Sequence, residues 1–257
     1  LEIGGAPLPE YSLEDIRSLK QCADNYGITI TVGYGPAWNH NIGSADPKIR
    51  TEAVGWYKKT FEAMAELDSH LIGGALYFYW PVDFNVVNKV DDWKYSVEGI
   101  QILAPIAAQY DINLGMEVLN RFENHILNTA EEGVTFVKEV GMDNVKVMLD
   151  TFHMNIEESS IGDAIRTAGK LLGHFHTGEC NRIVPGKGRI PWREIGDALK
   201  DIEYDKAVVM EPFVCMGGQV GSDIKVWRDI SHNASEEQLD IDAKRALEFQ
   251  RYMLEWK

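Results

Sequence analysis

A chain of 257 residues with 45% hydrophobic and 25% charged residues has the composition of one large globular domain with a substantial core. Its formal net charge of -15 repels polyanions, so nucleic acid and acidic membranes are excluded as partners, and no apolar run reaches the roughly 20 residues of a membrane helix. Three cysteines, Cys22, Cys180 and Cys215, are an odd number without metal-type spacing, which argues against a disulfide framework and for a reducing, cytoplasmic setting.

Along the chain, strand-like and helix-like stretches alternate. Leu1 to Gly4 reads as a first strand, without a basic, apolar leader before it. Further strands are expected over Ile28 to Tyr34, Leu71 to Tyr77, Asn113 to Leu119, Val145 to Asp150, Leu172 to His176 and Ala207 to Phe213. Between them, Ser12-Leu-Glu-Asp15, Thr129-Ala-Glu-Glu132 and Ser235-Glu-Glu-Gln238 each set a capping side chain three residues before an acid or amide, and Gly27 and Gly141 follow helical runs as stops. A helix from about Ile49 to Leu67 puts Val54, Tyr57, Phe61 and Met64 on one apolar face.

Repeated strand then helix implies parallel strands with right-handed crossovers. No G-x-G-x-x-G turn follows an early strand, and the polar candidates come from many strands instead of one crevice, so a closed α/β barrel is favoured over an open dinucleotide-binding sheet. Residues 1–257 then form a single domain. Such a barrel has eight strands and only seven are found, with the first residue already inside one. A first strand and helix are therefore expected to be missing, which leaves a gap between the Leu1 and Ala207 strands.

Val145 to Asp150 is the most telling stretch, because a buried strand there runs into a carboxylate. An unpaired ion at that place costs several kcal/mol, so Asp150 asks for a partner. Glu117, Asp150, His176 and Glu211 fall at or near successive strand ends, 33, 26 and 35 residues apart. In a barrel they reach the same rim, where active sites of this architecture lie. Three carboxylates and an imidazole suit a divalent ion such as Mn²⁺, Co²⁺ or Mg²⁺, and close carboxylates cannot all stay ionised without a cation. Glu123, His153 and Arg182, in the loops that follow, offer donors and acceptors to a polyhydroxylated ligand. His174 reads as a satisfied core histidine one layer deeper. Trp38, Tyr79, Trp80 and Phe213 cluster in the same loops, and of these Trp80 and Phe213 are the candidates for an apolar wall facing a sugar.

GMEVLNRFENHILN, VMLDTFHMNIEESSIGDAIR, GHFHTGECNR followed by PGKGR, and VVMEPF resemble the ketose 3-epimerases of the D-psicose (D-allulose) and D-tagatose 3-epimerase group, over essentially the whole chain. The resemblance implies a xylose-isomerase-like (β/α)8 barrel and a divalent metal, often Mn²⁺ or Co²⁺, on Glu117, Asp150, His176 and Glu211. It further implies a ketose substrate held by Glu123, His153 and Arg182, and a homodimer or homotetramer. Members of the group begin with a strand and helix that have no counterpart here. Chemically, inverting C3 of a 2-ketose removes a proton beside a carbonyl and returns one to the opposite face, so two facing carboxylates are needed. These are expected to be Glu117 and Glu211, acting on an enediolate stabilised by the cation as a Lewis acid. Competing expectations are an aldose-ketose isomerase or an abasic-site endonuclease on the same barrel, and a catalytically impaired sugar-binding fragment. The acidic balance and few rim histidines speak against the endonuclease.

Overall fold

The computed structural model describes residues 1–255. Seven strands, β1 (Glu2–Gly4), β2 (Thr31–Gly33), β3 (Leu71–Gly74), β4 (Asn113–Glu117), β5 (Val145–Asp150), β6 (Leu172–Thr177) and β7 (Val208–Met210), form one parallel sheet in sequence order. Each is hydrogen-bonded to the next, as in a (β/α) barrel, and among the described residues β1 and β7 remain its two unpaired edges. The gap expected between the first and last strands is therefore present.

The helices are α1 (Leu13–Asn25), α2 (Pro47–Glu66), α3 (Lys89–Ala108), α4 (Ala130–Val140), α5 (Thr151–Glu157), α6 (Ile161–Ala168), α7 (Trp192–Asp201), α8 (Gly218–Asp223) and α9 (Glu236–Leu254). None of those described is long and apolar enough to cross a membrane. Their ends follow local chemistry. Ser12 and Asp15 make both halves of a capping box at α1. Thr129 accepts the Glu132 N–H at 3.2 Å, but the Glu132 carboxylate takes the N–H of Asn128, one residue further out, so the second half of that box is displaced. Gly141, at φ 72°, closes α4 with its N–H on the Val137 carbonyl.

Helix α2 begins at Pro47, capped by Asp46. It buries Tyr57, Phe61 and Met64 completely, while Val54 at the edge of that face is only partly covered. Each such large side chain contributes about 1.5–3 kcal/mol through its removal from water.

Several strands are shorter than their apolar runs. β3 stops at Gly74 because that residue's φ of 127° lies outside strand geometry, and Ala75 to Tyr79 turn away over the rim. β6 carries one extra residue against β5: Val147 pairs with Leu172 but Met148 pairs with His174, which leaves Gly173 as the bulge. From there on the register sets Asp150 abreast of His176.

Candidate metal centre and substrate cavity

Strand alternation sends Glu117, Asp150 and His176 inward from the ends of β4, β5 and β6, and Glu211 follows β7 directly. One ligand atom from each lies within 4.8 Å of those of the other three. His176 Nδ1 stands 3.6 Å from Glu211 Oε2 and 4.0 Å from Asp150 Oδ2.

Asp150 shows how the chain builds this. The residues after it were expected to be a loop; instead α5 starts at once, and Asp150 is its N-cap. Its Oδ1 accepts the N–H groups of Phe152, at 2.5 Å, and His153, at 3.3 Å. The cap fixes the carboxylate and leaves Oδ2 buried with no hydrogen-bond partner. His176 Nδ1 is buried and unpartnered in the same way. Orphaned acceptors of this kind are rare in native interiors, and a hard or borderline cation bound by oxygens and one imidazole nitrogen would satisfy them.

The electrostatics agree. Burial, followed by the Glu211 charge, pushes the Glu117 carboxyl well above the usual carboxylate range, and burial also raises Asp150 against the pull of Arg182. Burial works to raise Glu211 too, but His176 and Arg182 outweigh it and hold that group below its ordinary value. The carboxylates thus compete for too little positive charge, a conflict that a divalent ion relieves.

Around this centre lies a cavity of about 760 Å³ at the C-terminal rim, lined among others by Glu117, Glu123, His153, His176, Arg182 and Glu211. Arg182 is buried and adopts φ 66°, a conformation uncommon for a non-glycine residue. Its Nη1 meets Glu211 Oε2 at 3.1 Å and its Nη2 meets Glu123 Oε1 at 3.2 Å. The guanidinium lies 3.8 Å from the Phe152 ring centre and 5.2 Å from that of Phe213. His153 is buried on α5, and burial followed by the Arg182 charge lowers its basicity well below the ordinary value, so the ring is neutral. Its Nδ1 accepts the backbone N–H of Asn120 at 3.2 Å, which assigns the ring proton to Nε2, 3.8 Å from Glu117 Oε1.

The site residues expected from the sequence therefore lie together: Trp80 and Phe213 line the cavity with the others, and Asp150 belongs to the donor cluster without lining it. Trp38 and Tyr79 do not join them. They pack edge to face at 4.6 Å and line a separate cavity of about 300 Å³ beside α2 and α3, because the chain after β3 splits its aromatics between two sides. Two residues were missed. Asn120 is buried, and its amide nitrogen donates to Glu123 Oε1 at 3.0 Å and contacts His153 Nδ1 at 2.8 Å, fixing both. Its position between the end of β4 and Glu123 was the available signal. The other is Glu2 on β1, whose carboxylate reaches His174 and His176. His174 is the interior histidine expected, but it is only half satisfied: Nε2 meets Glu2, while Nδ1 is buried without a hydrogen-bond partner.

A family model described as xylose isomerase-like TIM barrel matches residues 2–230. The chain is 59% identical over 256 residues to a D-psicose 3-epimerase of Ruminiclostridium cellulolyticum, across 99% of this chain and 87% of that protein. It is 55% identical over 255 residues to a D-psicose 3-epimerase of Agrobacterium fabrum, across 99% and 88% respectively. The crystal structure of D-psicose 3-epimerase with D-tagatose from Clostridium cellulolyticum H10 superposes with a TM-score of 0.98 at 59% identity, covering 100% of this chain and 89% of that one. With the fold, the rim cluster and these likenesses in agreement, the chain belongs to the D-psicose 3-epimerase family of xylose isomerase-like TIM barrels and is an isomerase.

Proposed function

We propose that this epimerase interconverts D-fructose and D-psicose, or D-tagatose and D-sorbose, with Glu117 and Glu211 as the acid–base pair. The observation that carries the reading is the junction of four donors within 4.8 Å, in which Glu117 at the end of β4 and Glu211 after β7 both line the one cavity. Two carboxylates at one cavity are the acid and base that proton exchange at one carbon needs. Glu211 takes the C3 proton from one face. Glu117 returns one to the other face, and the roles reverse for the opposite epimer. Each role contributes about 10²- to 10⁴-fold.

Glu117, Asp150, His176 and Glu211 would hold the cation, with Mn²⁺ or Co²⁺ preferred and Mg²⁺ compatible with the donors. When bound, such an ion supplies Lewis-acid stabilisation of negative charge on substrate oxygens. Arg182 and neutral His153 orient the carbonyl end of the sugar, Glu123 accepts from a hydroxyl, and Trp80 and Phe213 supply an apolar wall. The protein is assigned to the cytoplasm as a homodimer or homotetramer, and the open edge between β1 and β7 is assigned to an eighth strand belonging to an N-terminal βα unit.

The decisive assay incubates the protein with D-fructose or D-tagatose, with chelator and with added Mn²⁺ or Co²⁺, and identifies the sugars by chromatography. Appearance of the C3 epimer only with metal is the expected result. An aldose product, or no turnover from an intact metal-loaded protein, sinks the reading. Sedimentation of the same sample measures the assembly state.

A further inference from the structure

A second cluster sits behind the first. Glu2 projects inward from β1, and its carboxylate crosses the barrel interior to β6, a strand that is not its neighbour in the sheet. Glu2 Oε2 accepts from Thr31 Oγ1 at 3.0 Å and lies 2.8 Å from His174 Nε2. Glu2 Oε1 lies 2.7 Å from His176 Nε2, an ion-pair contact too bent to count as an aligned hydrogen bond. Room for this carboxylate comes from Gly33, where a Cβ would stand 2.8 Å from Glu2 Oε1. Thr31 and Gly33, two residues apart on β2, share one face beside β1, so one supplies a donor and the other supplies space.

An imidazole has two nitrogens, and only a bare one can hold a cation. Which one is bare is set by the partner of the other. Here Nδ1 of His176 faces Glu211 and Asp150, and Nε2 faces Glu2. We propose that Glu2 is a positioning residue for the metal centre: held by Thr31 and His174, its carboxylate faces Nε2 of His176, keeps the ring proton on that nitrogen and so presents a bare Nδ1 to the cation. The proposal rests on the reading of His176 as a metal ligand. It assigns Glu2, His174 and Thr31 to one device, and explains why an acid occupies an inward position on the edge strand and why a second histidine lies two residues before the ligand.

Titration calorimetry with Mn²⁺ on the intact protein tests it. Glu2→Gln is expected to weaken Mn²⁺ binding about 10- to 100-fold, the usual range for loss of an outer-sphere partner, with thermal unfolding in chelator close to that of the unaltered protein. In the Mg²⁺-loaded protein labelled with ¹⁵N-histidine, a slowly exchanging ring N–H on His176 Nε2 is expected, and it disappears in Glu2→Leu. Thr31→Val, which loosens Glu2 without touching either histidine, is expected to weaken Mn²⁺ binding a few-fold, and it carries the test if the Glu2 variants do not fold. Unchanged Mn²⁺ affinity in Glu2→Gln, or in Thr31→Val should Glu2 variants not fold, overturns the proposal. So does binding of two ions per unaltered chain with one lost in Glu2→Gln, since Glu2, His174 and His176 would then be a second metal site. These readouts are independent of turnover: an unaltered protein that binds one Mn²⁺ tightly without making an epimer removes the functional reading, while loss of binding in Glu2→Gln still supports the role of Glu2.

Discussion

The two sides of the barrel rim are made differently. β1, β2 and β3 end on Gly4, Gly33 and Gly74, whereas β4 and β5 end on Glu117 and Asp150, β6 ends one residue past His176, and Glu211 follows β7. Both sides line the same cavity. On the glycine side the crowding differs by position: a Cβ on Gly74 would lie 2.2 Å from the Tyr34 carbonyl oxygen, one on Gly33 would lie 2.8 Å from Glu2 Oε1, and one on Gly4 would meet nothing within 4 Å. The difference teaches that one arc of the rim makes room while the other carries charge. A ketose needs both, since its hydroxylated chain must lie in a cavity with acids at one carbon.

The comparison is broken most directly on the charged arc. Glu211→Gln and Glu117→Gln should each lower kcat by about 10²- to 10⁴-fold in the fructose assay with saturating Mn²⁺. Near-normal turnover in either variant removes that residue from proton transfer. Arg182→Met takes a buried cation away from Glu211 and Glu123, and kcat/KM should fall about 10- to 100-fold, the loss of a charge-assisted hydrogen bond to substrate. An unaltered KM for the ketose would place Arg182 outside the substrate contacts.

On the glycine arc the expected effect is on folding. Gly74→Ala forces a side chain onto φ 127° and against the Tyr34 carbonyl, and should cost about 1–3 kcal/mol in urea unfolding. A variant as stable as the unaltered protein would mean that the arc relaxes and that its glycines are not required by close packing.

The smallest effect distinguishes the arcs by pH. His153 has its basicity depressed in the folded state by burial and Arg182, so below the ordinary histidine value of about 6.5 the unfolded chain binds a proton that the folded chain does not. Its contribution is therefore complete above that pH and is lost as pH falls toward the folded value, at up to about 1.4 kcal/mol per pH unit. In chelator, the stability difference between the unaltered protein and His153→Asn should shrink on acidification from pH 7 to 5, while Gly74→Ala should shift the whole curve without changing its slope. A His153→Asn difference that is flat across this range would show that the ring titrates freely.

Much of this was legible in the sequence because it is local. Apolar runs of strand length, capping residues such as Ser12 and Ser235, and the glycine at 141 each act within a few residues, so seven strands and their order could be read directly. The rim cluster was legible for a related reason, since one acid or imidazole per βα unit, repeated four times, meets at one end of any parallel barrel. Less legible were the turns of direction. Asp150 looks the same in sequence whether it ends a strand before a loop or caps a helix. Trp38, Tyr79, Trp80 and Phe213 look alike as loop aromatics, yet only Trp80 and Phe213 face the main cavity.

By itself, then, the sequence determined the alternation of strands and helices, the gap at the sheet edge and the four donors that share a mouth, because periodicity and spacing are properties of short stretches. Only the tertiary structure decided what holds those donors in place: the orphaned Oδ2 that α5 leaves on Asp150, the grip of Asn120 on His153, and Glu2 reaching across to His174, 172 residues away. Contacts of that kind depend on how strands curve round a common interior, and no local pattern encodes which side chain will lie opposite another once they do.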